Sequence, residues 1–246
     1  MTSSIKRLLL LVAVCLPLSA QDALFPEAKH FVRRVENPLA KSVTTLQEYC
    51  AGNQLVTVNG DRVAVMDYAK QELLEIDRAA GTYSITRFDE LAALQAREES
   101  NRQSWTARPL GTRRFATTGR ALDTVALQRD RDTIELGLDR RVTLTRAAAE
   151  VLIGAAYPNV KRPEHDAILS ALRTESAYAL PVEQSVTYEA EGQSVTLRSS
   201  VVSVTGDRVP HELVVIPPGA VRVESHAVRT ARMLRELDQL PGVPKP

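Results

Sequence analysis

The sequence predicts an α+β protein built on an antiparallel sheet. Residues 55–88 carry the strongest pattern, four short runs of alternating apolar residues with turn signals between them, of which Asn59-Gly60-Asp61 is the clearest. A second group of strand-like runs covers residues 182–216, and a helix-rich segment, Arg146–Thr174, lies between the two groups. Strands gathered in blocks, with helices segregated between them, are typical of α+β proteins.

Residues 1–20 are predicted to be an export signal. Lys6-Arg7 precede a continuously apolar run, Leu8–Leu16, and Pro17-Leu18-Ser19-Ala20 places small residues next to a cleavage site after Ala20. The apolar run is shorter than the roughly 20 residues that a membrane-spanning helix needs. The segment therefore predicts a periplasmic or secreted protein with no transmembrane span after cleavage. Cys15 follows Val14 rather than a small residue, which argues against lipidation.

The chain from residue 21 to 240 is predicted to form one domain, followed by a loose Pro-rich tail at residues 241–246. Pro26 and the helical spacing of Ala28, Phe31, Val32 and Val35 predict a helix over residues 27–35. Strands are expected over 42–50, 55–58, 62–67, 72–77, 82–86, 122–128, 133–138, 182–190, 194–205 and 211–216, with an edge strand inside 105–118. Helices are expected over 89–103, in a helical-hairpin insert at 145–175, and after Ser225.

The composition limits the possible partners and the redox chemistry. The 246 residues carry a net charge of +1, and removing residues 1–20 changes it to −1, because that segment holds two bases and no acid. A chain without a basic field is not expected to bind nucleic acid. Cleavage after Ala20 would leave Cys50 as the only cysteine, so an intramolecular disulfide is excluded and a buried thiol at the end of a strand is expected.

Motifs for catalysis or metal binding are weak throughout, so no enzyme activity, cofactor or metal is expected. Glu164-His165-Asp166 are adjacent, and neighbours on a helix point about 100° apart and cannot converge on one ion without further ligands. No Gly-x-Ser-x-Gly elbow supports a serine nucleophile. Gly52, Gly60 and Gly81 occupy predicted hairpin turns rather than a phosphate-binding loop.

Two segments resemble a known family. Residues 58–65 followed by 74–85 repeat a strand, a Gly-Asp turn, a strand, an apolar strand ending in Asp, and a strand beginning Thr-Tyr. This order is similar to exported bacterial envelope proteins with the fold of the LolA/LppX-like lipoprotein and lipid carriers. Leu180-Pro181 and residues 215–220 resemble the strand start and the Pro-Gly exit late in that family. The resemblance implies a curved antiparallel sheet that forms an incomplete β-barrel, with helices packed on its concave side.

The expected function is a periplasmic carrier that holds an apolar ligand, such as a lipid or a lipoprotein acyl chain, between sheet and helices. The side chains expected to line this space are Val63, Val65, Leu74, Ile76, Tyr83, Ile85, Val186, Tyr188, Val195 and Leu197. Burial of several CH₂ groups, at about 25 cal/mol per Å², could hold such a ligand without a charged contact. The same residues could instead be plain core. The protein would then be a structural or scaffolding envelope protein that acts through contacts with a protein partner.

Overall fold

A computed structural model shows a mostly β protein in which twelve strands form one open sheet. The structure describes residues 23–95, 106–129, 131–156, 162–190, 192–226 and 228–229. The predicted export signal and the predicted tail lie outside these residues. The strands are β1 (Phe25–Asn37), β2 (Ser42–Gly52), β3 (Gln54–Asn59), β4 (Arg62–Asp67), β5 (Glu72–Asp77), β6 (Thr82–Arg87), β7 (Thr106–Arg114), β8 (Ala121–Arg129), β9 (Asp132–Leu144), β10 (Tyr178–Ala190), β11 (Gln193–Thr205) and β12 (Val221–Arg222).

The strands follow the order β12-β6-β5-β4-β3-β2-β1-β11-β10-β9-β8-β7. All neighbours pair antiparallel except β12, which runs parallel to β6. The two predicted strand groups are therefore continuous with each other through β1, which pairs with β2 on one side and β11 on the other. The predicted antiparallel sheet and its four-stranded meander, β3–β6, are confirmed.

The predicted helix over residues 27–35 is wrong, because this segment is the long strand β1. Pro26 lies where the β1–β2 register skips between Phe25 and Lys29, a position at which the missing N–H costs no ladder hydrogen bond. Phe31, Val32 and Val35 favour strands, and of these only Phe31 is fully buried. The helical spacing was therefore a coincidence in a strand that has partners on both edges.

The predicted strand over residues 211–216 is also wrong. The chain leaves the sheet after Thr205 and forms a short helix, α4 (His211–Val214), whose first turn is closed by a 3.0 Å bond from the Leu213 amide to the Pro210 carbonyl. Pro210 cannot donate a ladder hydrogen bond, and the prolines at 217 and 218 prevent the segment from continuing as a strand.

The remaining described helices are α1 (Phe88–Gln95), α2 (Arg146–Ala156) and α3 (Arg162–Leu172). The start of the predicted helix at 89–103 and the helical hairpin at 145–175 are confirmed, while residues 96–103 lie outside the described part. Thr145 caps α2, since its hydroxyl accepts the Ala148 amide at 3.1 Å. Beyond β12, the Ser225 hydroxyl accepts the Val228 amide at 3.2 Å, as expected for the cap of the predicted last helix.

The sheet has an apolar layer on each face. On the helix face, the face that α1, α2 and α3 cover, Phe31, Cys50, Met66 and Leu136 belong to the larger core cluster. On the opposite face, a smaller cluster is covered by a segment that we call the strap, residues 206–216. Helices α1, α2 and α3 therefore pack on one face of the sheet, as predicted, whereas α4 lies in the strap on the other face.

Candidate functional site

Six of the ten predicted lining residues lie on the face opposite the helices. They come from β4, β5 and β6, and cross-strand pairs such as Val63–Ile76 and Val65–Leu74 place them side by side. Val63, Val65 and Ile76 belong to the smaller cluster, and strap residues Val209, Leu213 and Val214 pack on it. The six are Val63, Val65, Leu74, Ile76, Tyr83 and Ile85.

The expectation that these six face the helices is wrong, and the reason lies in the alternation itself. Val63 and Val65 point to one face and Ala64 and Met66 to the other, so β4 is apolar on both faces. A period of two residues separates the faces but does not tell which one the helices cover. Met66 and its cross-strand partner Leu73 are the residues that face the helices.

The other four predicted residues lie on the helix face, at β10 and β11. Val186 pairs with Leu197 and with Ile134, and it packs against the larger core cluster. Tyr188 pairs with Val195, which is buried. The ten predicted residues therefore form two separate surfaces rather than one. The ligand-binding role assigned to them stays a prediction.

A cleft of about 520 Å³ opens on the helix face between the sheet edge and α3. We call it the α3 cleft. Strands β7, β8 and β9 supply Ala107, Pro109, Val125 and Leu138, and α3 supplies Ala171. Val125 and Leu138 belong to the larger core cluster, so an apolar floor continues from the core into the cleft. None of the ten predicted residues lines it.

The polar rim of the α3 cleft is fixed by an ion pair. The Arg140 Nε donates to Asp123 Oδ2 at 2.7 Å, and the Thr112 hydroxyl donates to Asp123 Oδ1 at 3.1 Å. These two contacts, the Arg140 bond first, hold the pKa of Asp123 below its ordinary value. Arg108 also lines the cleft and forms no ion pair with any described residue. The rim therefore offers one unneutralised guanidinium beside an apolar floor.

A second cleft, of about 250 Å³, lies on the opposite face. We call it the arginine cleft. One side of it is formed by residues 113–117, which end β7 and enter the following turn. The other side is formed by strands β9, β10 and β11. Its lining includes three arginines, Arg113, Arg114 and Arg198, and two glutamates, Glu135 and Glu183. It shares no lining residue with the α3 cleft.

Glu183 carries a carboxylate buried beside this cleft, with 1% of the residue exposed. The hydroxyls of Thr118 and Ser200 donate to its two oxygens at 2.5 and 2.6 Å. A buried carboxylate needs such donors, because it has lost its hydration. The sequence did not indicate this site: a glutamate in an alternating strand reads as a solvated side chain, and its donors come from two distant segments.

A signal for the α3 cleft was present but weak. Pro109 and Gly111 fall two residues apart inside a strand-like run, and the β7–β8 register indeed shifts between them.

Cys50 lies where the sequence placed it: its thiol is free and fully buried in β2, and burial raises its pKa far above the ordinary value. The described side chains contain no group of three residues suited to a metal ion, and those of Glu164 and His165 lie outside them.

The described helices include none that is both long and apolar enough to span a bilayer. No family model matches the chain, and no curated protein matches its sequence.

Solved structures give distant likenesses. An uncharacterized conserved protein from Thermus thermophilus is 9% identical, with 81% of this chain and 91% of that chain covered and a TM-score of 0.45. PNGF-II is 7% identical, with 86% and 33% covered and a TM-score of 0.40. A putative outer membrane lipoprotein-sorting protein domain from Vibrio parahaemolyticus is 7% identical, with 73% and 85% covered and a TM-score of 0.31.

Proposed function

We propose that this protein is an exported, non-enzymatic binding protein that holds an apolar ligand, such as a lipid or an acyl chain, in the α3 cleft. We further propose that the sheet is curved into the half-barrel of the LolA/LppX-like fold class. The observation that supports it is the cleft itself, a space of about 520 Å³ where sheet and helix do not close on each other. Ligand pockets for small molecules fall in the range of about 300–1,000 Å³.

The lining of the α3 cleft suits an acyl chain better than a reactive polar substrate. Val125 and Leu138 form an apolar floor, and Ala107 and Ala171 are small side chains that leave room above it. Each buried CH₂ contributes about 0.8 kcal/mol, so roughly ten of them would give binding near the micromolar range. The carboxylate at this rim, Asp123, is held by Arg140 and Thr112, which leaves it poorly placed to act as a base.

Filling the cleft tests the proposal. Ala171→Phe places a ring in the space without removing a core side chain, and we expect it to weaken binding of a dansyl-labelled fatty acid at least tenfold. Val43→Phe is the matched control, because Val43 is 57% exposed on β2 and lies outside both clefts. The Val43→Phe variant should bind the labelled fatty acid with the affinity of the wild type. Native mass spectrometry of the purified protein should show a lipid adduct that Ala171→Phe loses.

A structural or scaffolding role is the second candidate, and the filling of the opposite face over β4 and β5 favours it. Val63, Val65 and Ile76 are at most 4% exposed, so their space is occupied by the protein's own strap. If the wild-type protein binds no labelled fatty acid and carries no lipid adduct in repeated preparations, the carrier proposal is wrong and this candidate takes its place. Equal affinities of Ala171→Phe and wild type would instead exclude the α3 cleft as the site.

A further inference from the structure

The arginine cleft is a built site rather than a gap between mobile side chains. One wall is the turn at residues 115–120, which the Gly119 amide closes by donating to the Phe115 carbonyl at 2.8 Å. Three contacts fasten this turn to the sheet: the Phe115 ring lies against Gly137, the Thr118 hydroxyl bonds to Glu183, and Arg120 Nη1 donates to the Val201 carbonyl at 3.0 Å. The wall is therefore held at three points.

Both carboxylates of the cleft are already engaged. Glu135 Oε1 accepts from Arg113 Nη1 at 3.1 Å, and both oxygens of Glu183 accept hydroxyl hydrogen bonds. Neither carboxylate forms an ion pair with Arg114 or Arg198 among the described residues. Glu36, the cross-strand neighbour of Arg198, is bonded to Arg34 at 3.2 Å.

Two guanidinium groups therefore remain without a negative partner. Arg114 Nη1 donates to the Gly119 carbonyl at 2.8 Å, and the guanidinium forms no ion pair with a described carboxylate. Arg198 forms neither a hydrogen bond nor an ion pair with any described residue, although it lines the cleft. A guanidinium presents five N–H donors in a planar fork that matches the oxygens of phosphate and carboxylate groups. Ser185, on the strand next to Arg198, adds a hydroxyl to the lining.

We propose that the arginine cleft binds a phosphate-bearing ligand, with Arg114 and Arg198 as its charged donors. A volume of about 250 Å³ accommodates a phosphate group and a few attached atoms, and the Phe115 ring gives these an apolar contact. The lining carries three arginines against two glutamates, so a phosphate dianion finds a net positive site. This site lies on the opposite face from the α3 cleft and does not depend on the function proposed above.

Titration of the purified protein with inorganic phosphate and with glycerol 3-phosphate tests the proposal, with sodium chloride of matched ionic strength as the reference. Binding is followed by two-dimensional NMR of backbone amides. We expect saturable shifts at residues 113–119 and 184–198 with both phosphates and none with chloride.

Three variants test the role of Arg198. Arg198→Gln should weaken the affinity for both phosphates at least fivefold. Arg198→Lys, which keeps the charge and loses the fork, should give an intermediate affinity and covers the case in which the glutamine variant does not fold. Arg222→Gln on β12 is the matched control and should bind as wild type does.

A further arm distinguishes a lipid headgroup from a free phosphate. Co-sedimentation with vesicles of phosphatidylcholine containing one-fifth phosphatidic acid is compared with pure phosphatidylcholine. Sedimentation that needs phosphatidic acid and is lost in Arg198→Gln supports a lipid phosphate as the ligand, whereas shifts with soluble phosphates alone support a small metabolite. The proposal is overturned if neither phosphate source gives a response above the chloride and phosphatidylcholine references, or if Arg198→Gln and Arg222→Gln respond alike.

Discussion

At the scale of single residues, Gly137 shows how one missing side chain determines the shape of a cleft. A Cβ atom built on Gly137 would lie 2.6 Å from Cε2 of Phe115 and 2.8 Å from Cζ, much closer than carbon atoms pack. The same built atom would lie 3.0 Å from the Cβ of Glu183. The turn at 115–120 can therefore lie on the sheet only because β9 carries a glycine at this position.

Gly137→Ala should lower the free energy of unfolding by about 1–3 kcal/mol, because the ring or the strand must move. Urea unfolding measures the change. Gly206→Ala is the matched control: a Cβ there meets nothing closer than the Ala28 carbonyl oxygen at 3.8 Å, so its effect should stay within about 0.5 kcal/mol. In a Phe115→Ala background most of the cost of Gly137→Ala should disappear, because only the 3.0 Å approach to the Glu183 Cβ remains, as a double-mutant cycle would show. A cost that is undiminished without the ring would contradict this explanation.

At the scale of elements, the strap is held to the sheet both by side-chain packing and by hydrogen bonds to its backbone. The α4 helix has no buried residue, and its carbonyls at Glu212 and Leu213 accept hydrogen bonds from Arg78 Nη2, the latter at 3.1 Å. Beyond it, the Val221 amide donates to the Gly81 carbonyl at 2.9 Å. These hydrogen bonds thus supplement the apolar packing by which the strap covers a patch of β3–β6.

Arg78→Met keeps the aliphatic stem of the side chain and removes its donors. We expect a loss of about 1–3 kcal/mol in the free energy of unfolding, since hydrogen bonds from charged groups are among the stronger ones. Faster amide exchange at residues 209–214 and increased binding of the dye ANS should accompany it, because the patch becomes accessible.

Arg62→Met, at the start of the neighbouring strand β4, is the control. Its partner Asp77 lies at 3.2 Å, but the Arg62 side chain is 73% exposed, so the loss should be below about 1 kcal/mol. If both variants leave the exchange rates of the strap unchanged, then Arg78 does not hold it.

Elements whose pattern is local were predictable from the sequence, and elements fixed by distant partners were not. The hairpin at Asn59–Arg62 needs only its own turn, in which Gly60 adopts φ of 57°, and the helical hairpin α2–α3 needs only its own spacing and caps. Strand β1 takes both its partners from other segments, so its own spacing misled the prediction. The clefts combine residues from β7–β11 and α3 that no single stretch of sequence brings together.

At the scale of the whole molecule, β1 joins the two parts of the sheet. Residues 29–37 pair with β2 and residues 30–36 pair with β11, so every path through the sheet from β12 to β7 crosses this strand. Phe31 lies at the centre of β1, is 1% exposed, and belongs to the larger core cluster. A single cooperative domain over residues 21–240 should therefore depend on β1 more than on any edge strand.

Two N-terminal deletions and one substitution test this dependence. A chain that lacks residues 1–20 should unfold in urea with the same midpoint as the full chain, whereas a chain that lacks residues 1–37 should lose its cooperative transition, because β2 and β11 would each face water with an unpaired edge. Phe31→Ala covers the case in which the longer deletion is insoluble: it should cost about 3–5 kcal/mol in one transition that far-UV circular dichroism and tyrosine fluorescence report together. Two separate transitions in Phe31→Ala would instead mean that the meander side and the β7–β11 side fold independently, and the single-domain prediction would then be wrong.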